Sequence, residues 1–322
     1  MSILLNKPGI LTTIQDLGRH GYRRFGINPG GAMDRTAVRL INIALGNDEN
    51  EAVLEMHFPA AEIVFKANAI GAIGGADFSP KLDNEPIYNW QPFFAAKESV
   101  LKFAARNSGN RGYLAVRGGF KVDRWLGSSS TNLTAHMGGL DGRKLAAGDR
   151  IECKAKVKRQ KVKKGRRLSN GLIPHYRPFP TVRVIAGAEF EFLSEEGRKL
   201  FLNHDFVITN NSNRMGFRLA GEPITLDCPP EFISSAVSFG TIQTLPDGQL
   251  IVLMADHQTA GGYPRIAHII SRDLPLVAQL STNDKVAFHF IEQDDAERLS
   301  LEFERELNFL RVGCRFQANS WD

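Results

Sequence analysis

The 322-residue chain contains only three cysteines, Cys153, Cys228 and Cys314, an odd number set far apart. They exclude a disulfide framework and a C-x-x-C metal knuckle, and point to a reducing compartment with inert thiols. No run near twenty apolar residues occurs, which excludes a membrane-spanning helix. The start, Met1 to Asn6 before Lys7-Pro8-Gly9, lacks the charged, apolar and cleavage regions of a signal peptide, so a cytoplasmic setting is expected. There is no phosphate loop ending in Gly-Lys-Ser/Thr; Gly71-Ala-Ile-Gly-Gly-Ala-Asp77 has the glycines without the lysine. No H-E-x-x-H or comparable cluster appears among eight histidines, so no metal site is expected, and no G-x-S-x-G elbow marks a serine nucleophile. A Met-Lys dipeptide is also missing, which excludes the usual biotin-attachment sequence and with it covalent biotin on this chain.

Acidic residues are missing from one stretch in particular. Lys154 to Arg167 reads KAKVKRQKVKKGRR, with nine basic residues and no acidic one. Removing those nine from the formal charge of +5 leaves −4 for the rest of the chain, so the pI near 9.1 describes this segment rather than the body. A run of this kind is an electrostatic footprint for nucleic acid or membrane, or a solvated spacer. It holds no aromatic residue and no nucleic-acid motif adjoins it, so a linker is expected and a nucleic-acid partner is not.

What is present is 43% hydrophobic and 23% charged, the composition of a soluble globular protein of about two domains. Short strand-like runs dominate: Ala61–Phe65, Ser99–Phe103, Tyr113–Val116, Thr181–Ile185, Phe206–Thr209, Ile251–Met254, Ile266–Ile270 and Lys285–Phe290. The 30 glycines and 15 prolines fall between them, which suits barrels or sandwiches better than alternating βαβ units. Two segments carry helical periodicity. Arg35–Leu45 has Asp34 placed to cap it, and Asp294–Leu310 sets Ala296, Leu299, Phe303, Leu307 and Leu310 on one face. Each half closes on a similar phrase, a turn carrying Asp149 or Asp284 that feeds a strand. The expected plan is an N-terminal β domain over 1–153, the linker 154–170, a C-terminal β domain over 171–293, and a helix and tail over 294–322.

Three polar clusters are candidates for chemistry. In the first, Gln15, Asp16 and Arg19 stand beside Gly18 and Gly21, in a stretch that continues to Asp34; this is either a loop that lets backbone approach a ligand or an Asp–Arg pair pinning a tight turn. In the second, Arg214 and Arg218 flank Met215-Gly216, as a bidentate clamp for a carboxylate or phosphate or as a solvated pair. The third is the densest. Gln243 precedes the strand Ile251–Met254, and Asp256, His257, Gln258, Thr259, Gly262, Tyr263 and Arg265 emerge after it. So many different polar groups at a strand end favour function over a structural turn: Asp256 as base or charge partner, Gln258 and Thr259 as hydrogen-bonding groups, Arg265 as an anion anchor.

At these clusters the sequence resembles one family along nearly its whole length. The runs PGILTTIQDLGRHGYRRFGINPGGAMDRTAVRLINIALGNDENEAVLE, NRMGFRL, and IVLMADHQTAGGYPRIA with DLPLVAQL are similar to the family of the bacterial 5-oxoprolinase C subunit (PxpC). That family also holds KipA and the carboxyltransferase domains of urea amidolyase, or allophanate hydrolase subunit 2. The resemblance implies a mainly β fold of two cyclophilin-like barrels with a few short helices and a C-terminal amphipathic helix. It implies a cytoplasmic 5-oxoprolinase complex with a KipI-like B subunit together with an A subunit, and ATP as co-substrate, with magnesium shared with the partner. It implies that Gln15, Asp16, Arg19, Asp34, Arg214, Arg218, Gln243, Asp256, Gln258, Thr259, Tyr263 and Arg265 line a ligand groove between the barrels, with Asp256 and Arg265 as the catalytic pair. The stretch Phe232–Phe239 departs from the family's Gly/Pro-containing loop, and the basic run looks peculiar to this chain or its near relatives. Two other roles stay open under the same resemblance: a carboxyltransferase acting on carboxybiotin carried by a partner, and a KipA-like regulator that binds a KipI-like kinase inhibitor.

Overall fold

The computed structural model describes residues 2–157, 167–227 and 232–318, the last three by their backbone. Most of the basic run, 158–166, and Cys228 lie outside the described residues. The chain forms two compact units. The first comprises Met1–Arg19, Gly30–Pro174 and Glu304–Asp322; the second comprises His20–Pro29 and His175–Phe303. No helix among the described residues is long and apolar enough to cross a membrane.

In the first unit, β1 (Ser2–Lys7) and β2 (Thr12–Gln15) precede the helix α1 (Arg35–Ala44). There follow β3 (Val53–Met56), β4 (Glu62–Phe65), β5 (Ala69–Asp77), β6 (Pro80–Leu82), β7 (Glu85–Pro86) and β8 (Phe93–Ala95). The unit's last strands are β9 (Val100–Phe103), β10 (Ser108–Val116), β11 (Phe120–Lys121) and β12 (Arg150–Cys153). They form two sheets, in the orders β11-β12-β1-β4-β9-β6-β7 and β2-β3-β10-β5-β8. Alternation along β1, where Ile3 and Leu5 are buried and Leu4 is not, turns one side of the strand to a core shared with Ile14, Leu54, Ile63 and Phe65. The α1 helix begins where the sequence places it, because the Asp34 carboxylate accepts the Ala37 N–H at 2.9 Å and satisfies an otherwise orphaned donor.

The second unit contains β13 (Thr181–Ala186), the helix α2 (Glu195–Asn203), β14 (Phe206–Ile208), β15 (Gly216–Ala220), β16 (Ser235–Ala236), β17 (Thr241–Thr244) and β18 (Leu250–Leu253). It continues with β19 (Ala260–Gly261), β20 (Arg265–Ile269), the helix α3 (Leu274–Ala278), β21 (Lys285–Phe290) and the start of α4 (Gln293–Ala318). Seven of these strands close into a barrel in the order β13-β20-β17-β18-β15-β14-β21, and β16 pairs with β19 as a separate ribbon. The fold is mainly β, and the closed barrel belongs to the second unit, while the first divides its strands between two sheets.

The echoed phrases at the ends of the two halves share one geometry. Asp149 accepts the Ala146 N–H and donates its own N–H to the Ala146 carbonyl; Asp284 does the same with Ser281. Each turn then feeds the next strand, β12 or β21. The C-terminal helix is longer than its periodic stretch suggests, Gln293–Ala318. Glu304 on it accepts two bonds from Arg39, at 2.6 and 2.8 Å.

Candidate functional site

The polar residues of the second unit converge on one side of the pair β17 and β20. Ile242 and Ala267 face each other and are fully buried in the barrel. By alternation Thr241 and Gln243 point the other way, as does His268, the partner of Thr241. Strict alternation would aim Arg265 inward with Ala267. The register instead shifts between Ile242 and Gln243, so that Gln243 lies opposite Arg265. One extra residue in β20, a bulge, therefore turns Arg265 to the same side as Gln243. The β16–β19 ribbon lies over this side: Arg265 Nη1 donates to the Ala236 carbonyl at 3.1 Å, and Gly261 closely approaches the Gln243 amide.

Gln243 is fully buried. Its Nε2 donates to the Tyr263 carbonyl at 2.8 Å, and since a carbonyl only accepts, this bond fixes which way the amide points. Its Oε1 is buried with no hydrogen-bond partner among the described residues. A Cβ at Gly261 would stand 3.1 Å from Gln243 Nε2, 3.3 Å from Gln258 Nε2 and 3.5 Å from Gln243 Oε1. Glycine there lets the ribbon backbone close tightly over two side-chain amides, one offering a carbonyl and the other an N–H.

Arg265 is a matched charge. Its Nε and Nη2 donate to Glu189 Oε2 and Oε1 at 2.8 and 2.6 Å, and its backbone N–H adds a third bond to Oε2 at 2.8 Å. Hydrogen bonding by the Arg265 side chain holds the Glu189 carboxyl below its ordinary range. Nearby, His268 Nδ1 lies 3.1 Å from the Thr241 hydroxyl, itself 3.1 Å from the Ser238 hydroxyl. Burial first, and then the Arg265 charge, push the His268 pKa down, which favours the neutral ring. Neither Glu189 nor His268 stands out in sequence. Glu189 lies 76 residues before its partner, and only a strand-pairing scheme containing the bulge would have brought them together.

Arg214 and Asp256 form a second matched pair, with Nε to Oδ2 at 2.8 Å and Nη2 to Oδ1 at 3.3 Å, tied again by the Asp256 N–H on the Arg214 carbonyl. Asn28, on the His20–Pro29 segment of this unit, donates to the Asp256 carbonyl at 3.0 Å. His257 is almost fully buried, and its Nδ1 lies 2.5 Å from the Gln258 carbonyl. Thr259 accepts the Val237 N–H through its carbonyl, while Gly262 and Tyr263 are exposed beside the ribbon. Arg218 sits on β15 with its side chain exposed.

In the first unit, Gln15, Asp16 and Arg19 organise the loop Ser128–Asn132, which carries no catalytic or binding motif. Asp16 Oδ1 accepts from the hydroxyls of Ser128 and Ser130 and from the Gly18 N–H, and Oδ2 accepts the Ser129 N–H, all within 2.6–2.8 Å. Arg19, almost fully buried, donates to the Ser130 carbonyl at 2.5 Å and lies 4.7 Å from the Trp125 ring centroid. Gln15 Nε2 reaches the Thr13 hydroxyl and the Thr131 carbonyl. Asp34 is buried as the α1 cap, and its N–H donates to the Tyr113 hydroxyl, which donates to Glu55. The run Ser128-Ser-Ser-Thr-Asn132, five small polar residues in sequence and all buried, was the available signal. Among the described residues no three His, Cys, Asp or Glu side chains converge as a metal-ligand set.

A model of one protein family, described as "Carboxyltransferase domain, subdomain A and B", matches residues 25–290. The 5-oxoprolinase C subunit of Haemophilus influenzae is 35% identical over 303 residues, covering 93% of this chain and 94% of the relative. That of Escherichia coli is 34% identical over 312 residues, covering 96% and 97%. Among solved structures, the Kluyveromyces lactis urea amidolyase superposes with a TM-score of 0.88 at 26% identity, over 96% of this chain but 20% of that one.

Proposed function

Because this chain belongs to the family of carboxyltransferase domains with subdomains A and B, we propose that it is the C subunit of an ATP-dependent 5-oxoprolinase, a cytoplasmic complex with a KipI-like B subunit together with an A subunit. The observation that carries the reading is the amide pair at Gly261. A five-membered lactam is a cis amide, so its N–H and C=O lie on one edge. Gln243 Oε1, buried and left unpaired because Nε2 is taken by the Tyr263 carbonyl, suits the lactam N–H, and Gln258 Nε2 suits the lactam oxygen. Near end-to-end similarity to two proteins named as this subunit supports the same assignment.

An unactivated amide is a poor electrophile. In the proposed reaction the terminal phosphoryl group of ATP passes to the lactam oxygen, releasing ADP. Water then adds to the activated carbon, the ring C–N bond breaks to free the amino group, and a second water releases phosphate to leave glutamate. Catalysis of such a transfer is mainly positioning and charge stabilisation. In this scheme Gln243 and Gln258 orient the ring. Arg265, with its charge matched by Glu189 and its Nη1 on the ribbon carbonyl, holds the ribbon over them. Arg214 with Asp256 and the exposed Arg218 supply polar contacts for the anionic groups, with Thr259 and Gly262 at the rim. Magnesium would travel on the nucleotide phosphates, since the described residues offer no ligand set of their own. The test is to combine the chain with its A and B partners and assay glutamate and ADP from 5-oxoproline and ATP. No ATP-dependent glutamate from the complete mixture would sink the proposal.

The likeness to urea amidolyase favours a second reading, a carboxyltransferase taking its carboxyl group from biotin on a partner. A biotin blot of the proteins that co-purify with the chain separates the two: a biotinylated partner in stoichiometric amount supports this reading against the first.

A further inference from the structure

The second unit also holds a cavity of about 580 Å³ at one mouth of its barrel, where β17 and β18 meet at the Leu245–Gly248 turn. That volume is several times that of a five-membered lactam and within the range of small-molecule sites, which often occupy barrel mouths. Pro223, Ile224, Leu245, Pro246 and Pro264 make the walls apolar, and Phe232 and Tyr263 add two aromatic rings. Among the described lining residues there is no Lys, Arg or His, and Asp247 supplies the one carboxylate. The lining therefore disfavours an anion. It suits a neutral, flat, amphipathic group.

The cavity is a built one. The Ile224 N–H donates to the Gly248 carbonyl at 2.9 Å, and Gly248, at φ +78°, packs so closely that a Cβ would stand 2.7 Å from Pro223. Phe232 is steadied edge-on by Phe192 at 5.6 Å. Thr244, 2% exposed, contributes to the lining, and its hydroxyl has no hydrogen-bond partner among the described residues. A buried hydroxyl left unpaired carries a cost of about 1–3 kcal/mol, which a polar atom of a ligand would relieve.

We propose that this cavity binds the nucleoside end of ATP, an inference that rests on the ATP-dependent reading above. Adenine is a neutral aromatic heterocycle with hydrogen-bonding edge atoms, matching Tyr263, Phe232 and the Thr244 hydroxyl. The ribose carries vicinal hydroxyls, which a carboxylate such as Asp247 accepts well. The phosphates, repelled by that carboxylate, lie outside the lining. Tyr263 ties the two sites together: its ring walls the cavity, and its carbonyl fixes Gln243.

The test uses the full chain, alone and in the reconstituted complex, photolabelled with 8-azidoadenosine and mapped by peptide mass spectrometry. Label is expected within residues 244–248 or on Phe232 or Tyr263, displaced by adenosine and ATP but not by inorganic triphosphate. Tyr263→Ala, which keeps the carbonyl on Gln243, and Thr244→Val, which keeps the shape, are each expected to weaken adenosine binding about tenfold by calorimetry. Label on a partner protein, or adenosine affinity unchanged in both variants, overturns the proposal. If the complex still converts 5-oxoproline under those results, the pocket assignment alone has failed. Pocket labelling without 5-oxoproline turnover leaves the nucleoside site standing and removes the proposed reaction.

Discussion

Arg265 and Glu189 meet through two parallel charge-assisted bonds, Nε to Oε2 at 2.8 Å and Nη2 to Oε1 at 2.6 Å, with both side chains mostly buried. The pair fixes the loop after β13 to the first residue of β20. Its energetic coupling in a double-mutant cycle of Glu189→Ala and Arg265→Ala, read by urea unfolding, should be about 1–3 kcal/mol. In the reconstituted complex, Arg265→Ala should abolish ATP-dependent 5-oxoproline hydrolysis while the chain remains folded by circular dichroism; wild-type turnover in that variant removes Arg265 from the site.

Gly261 has an ordinary backbone conformation, so Gly261→Ala adds a methyl group without backbone strain. That methyl group would sit 3.1–3.5 Å from the amide atoms of Gln243 and Gln258. The expected result is a KM for 5-oxoproline raised at least about tenfold, with a stability cost of about 1–3 kcal/mol from crowding the buried Gln243 amide. Unchanged KM would show that the space between the amides is not where substrate binds.

His268 and Glu189 make stability fall on the acid side for distinct reasons. The folded protein holds the His268 pKa below the ordinary imidazole value, so the unfolded chain takes up that proton first as pH drops. Stability is therefore full above about pH 6.5 and declines as pH falls through the folded value. Glu189, also lowered, adds a second decline below the ordinary carboxylate range, about pH 4.3. Urea midpoints measured from pH 8 down to about pH 2.5 should show both, and His268→Gln should flatten the upper one only.

Asp16 accepts four hydrogen bonds from the Ser128–Ser130 loop and Gly18 while nearly fully buried. Asp16→Ala leaves those donors unpaired and should cost about 3 kcal/mol or more, read as a lowered urea midpoint with new proteolytic cleavage near Ser128.

Cys153 is a thiol that burial pushes up to about 11. With the thiolate scarce and shielded, it should resist iodoacetamide at pH 8 in the folded protein and react fully in urea, followed at the peptide containing Cys153.

The elements legible in sequence are those whose signal is local. The strands over Thr181–Ile185 and Lys285–Phe290 and the cap at Asp34 all appear within a residue or so of their expected places, because alternation and capping depend on neighbours a few positions apart. The candidate clusters were legible as lists of polar residues but not as partnerships. Arg214 and Arg218 read as one clamp or as a solvated pair; in the fold Arg214 pairs with Asp256, 42 residues away, while Arg218 is exposed on β15. The Ser128–Asn132 run gave a weak signal, since its meaning depends on Asp16 more than a hundred residues earlier.

The basic run set the pI by itself, and composition alone assigned the remaining charge of −4 to the body. Composition and spacing likewise determined a mainly β chain, its principal strands and the residues worth watching. Only tertiary structure decided what those residues do. Strand order brought β20 beside β17, and a single bulged residue turned Arg265 from the barrel interior to the side of Gln243. The closed barrel placed Thr244 and Tyr263 around one cavity, and a carbonyl on Tyr263 left Gln243 Oε1 unpaired. The physical reason is the range of the interactions. Propensity and alternation act between near neighbours, whereas charge matching, closure and the leaving open of one buried acceptor depend on which distant segments pair and in what register.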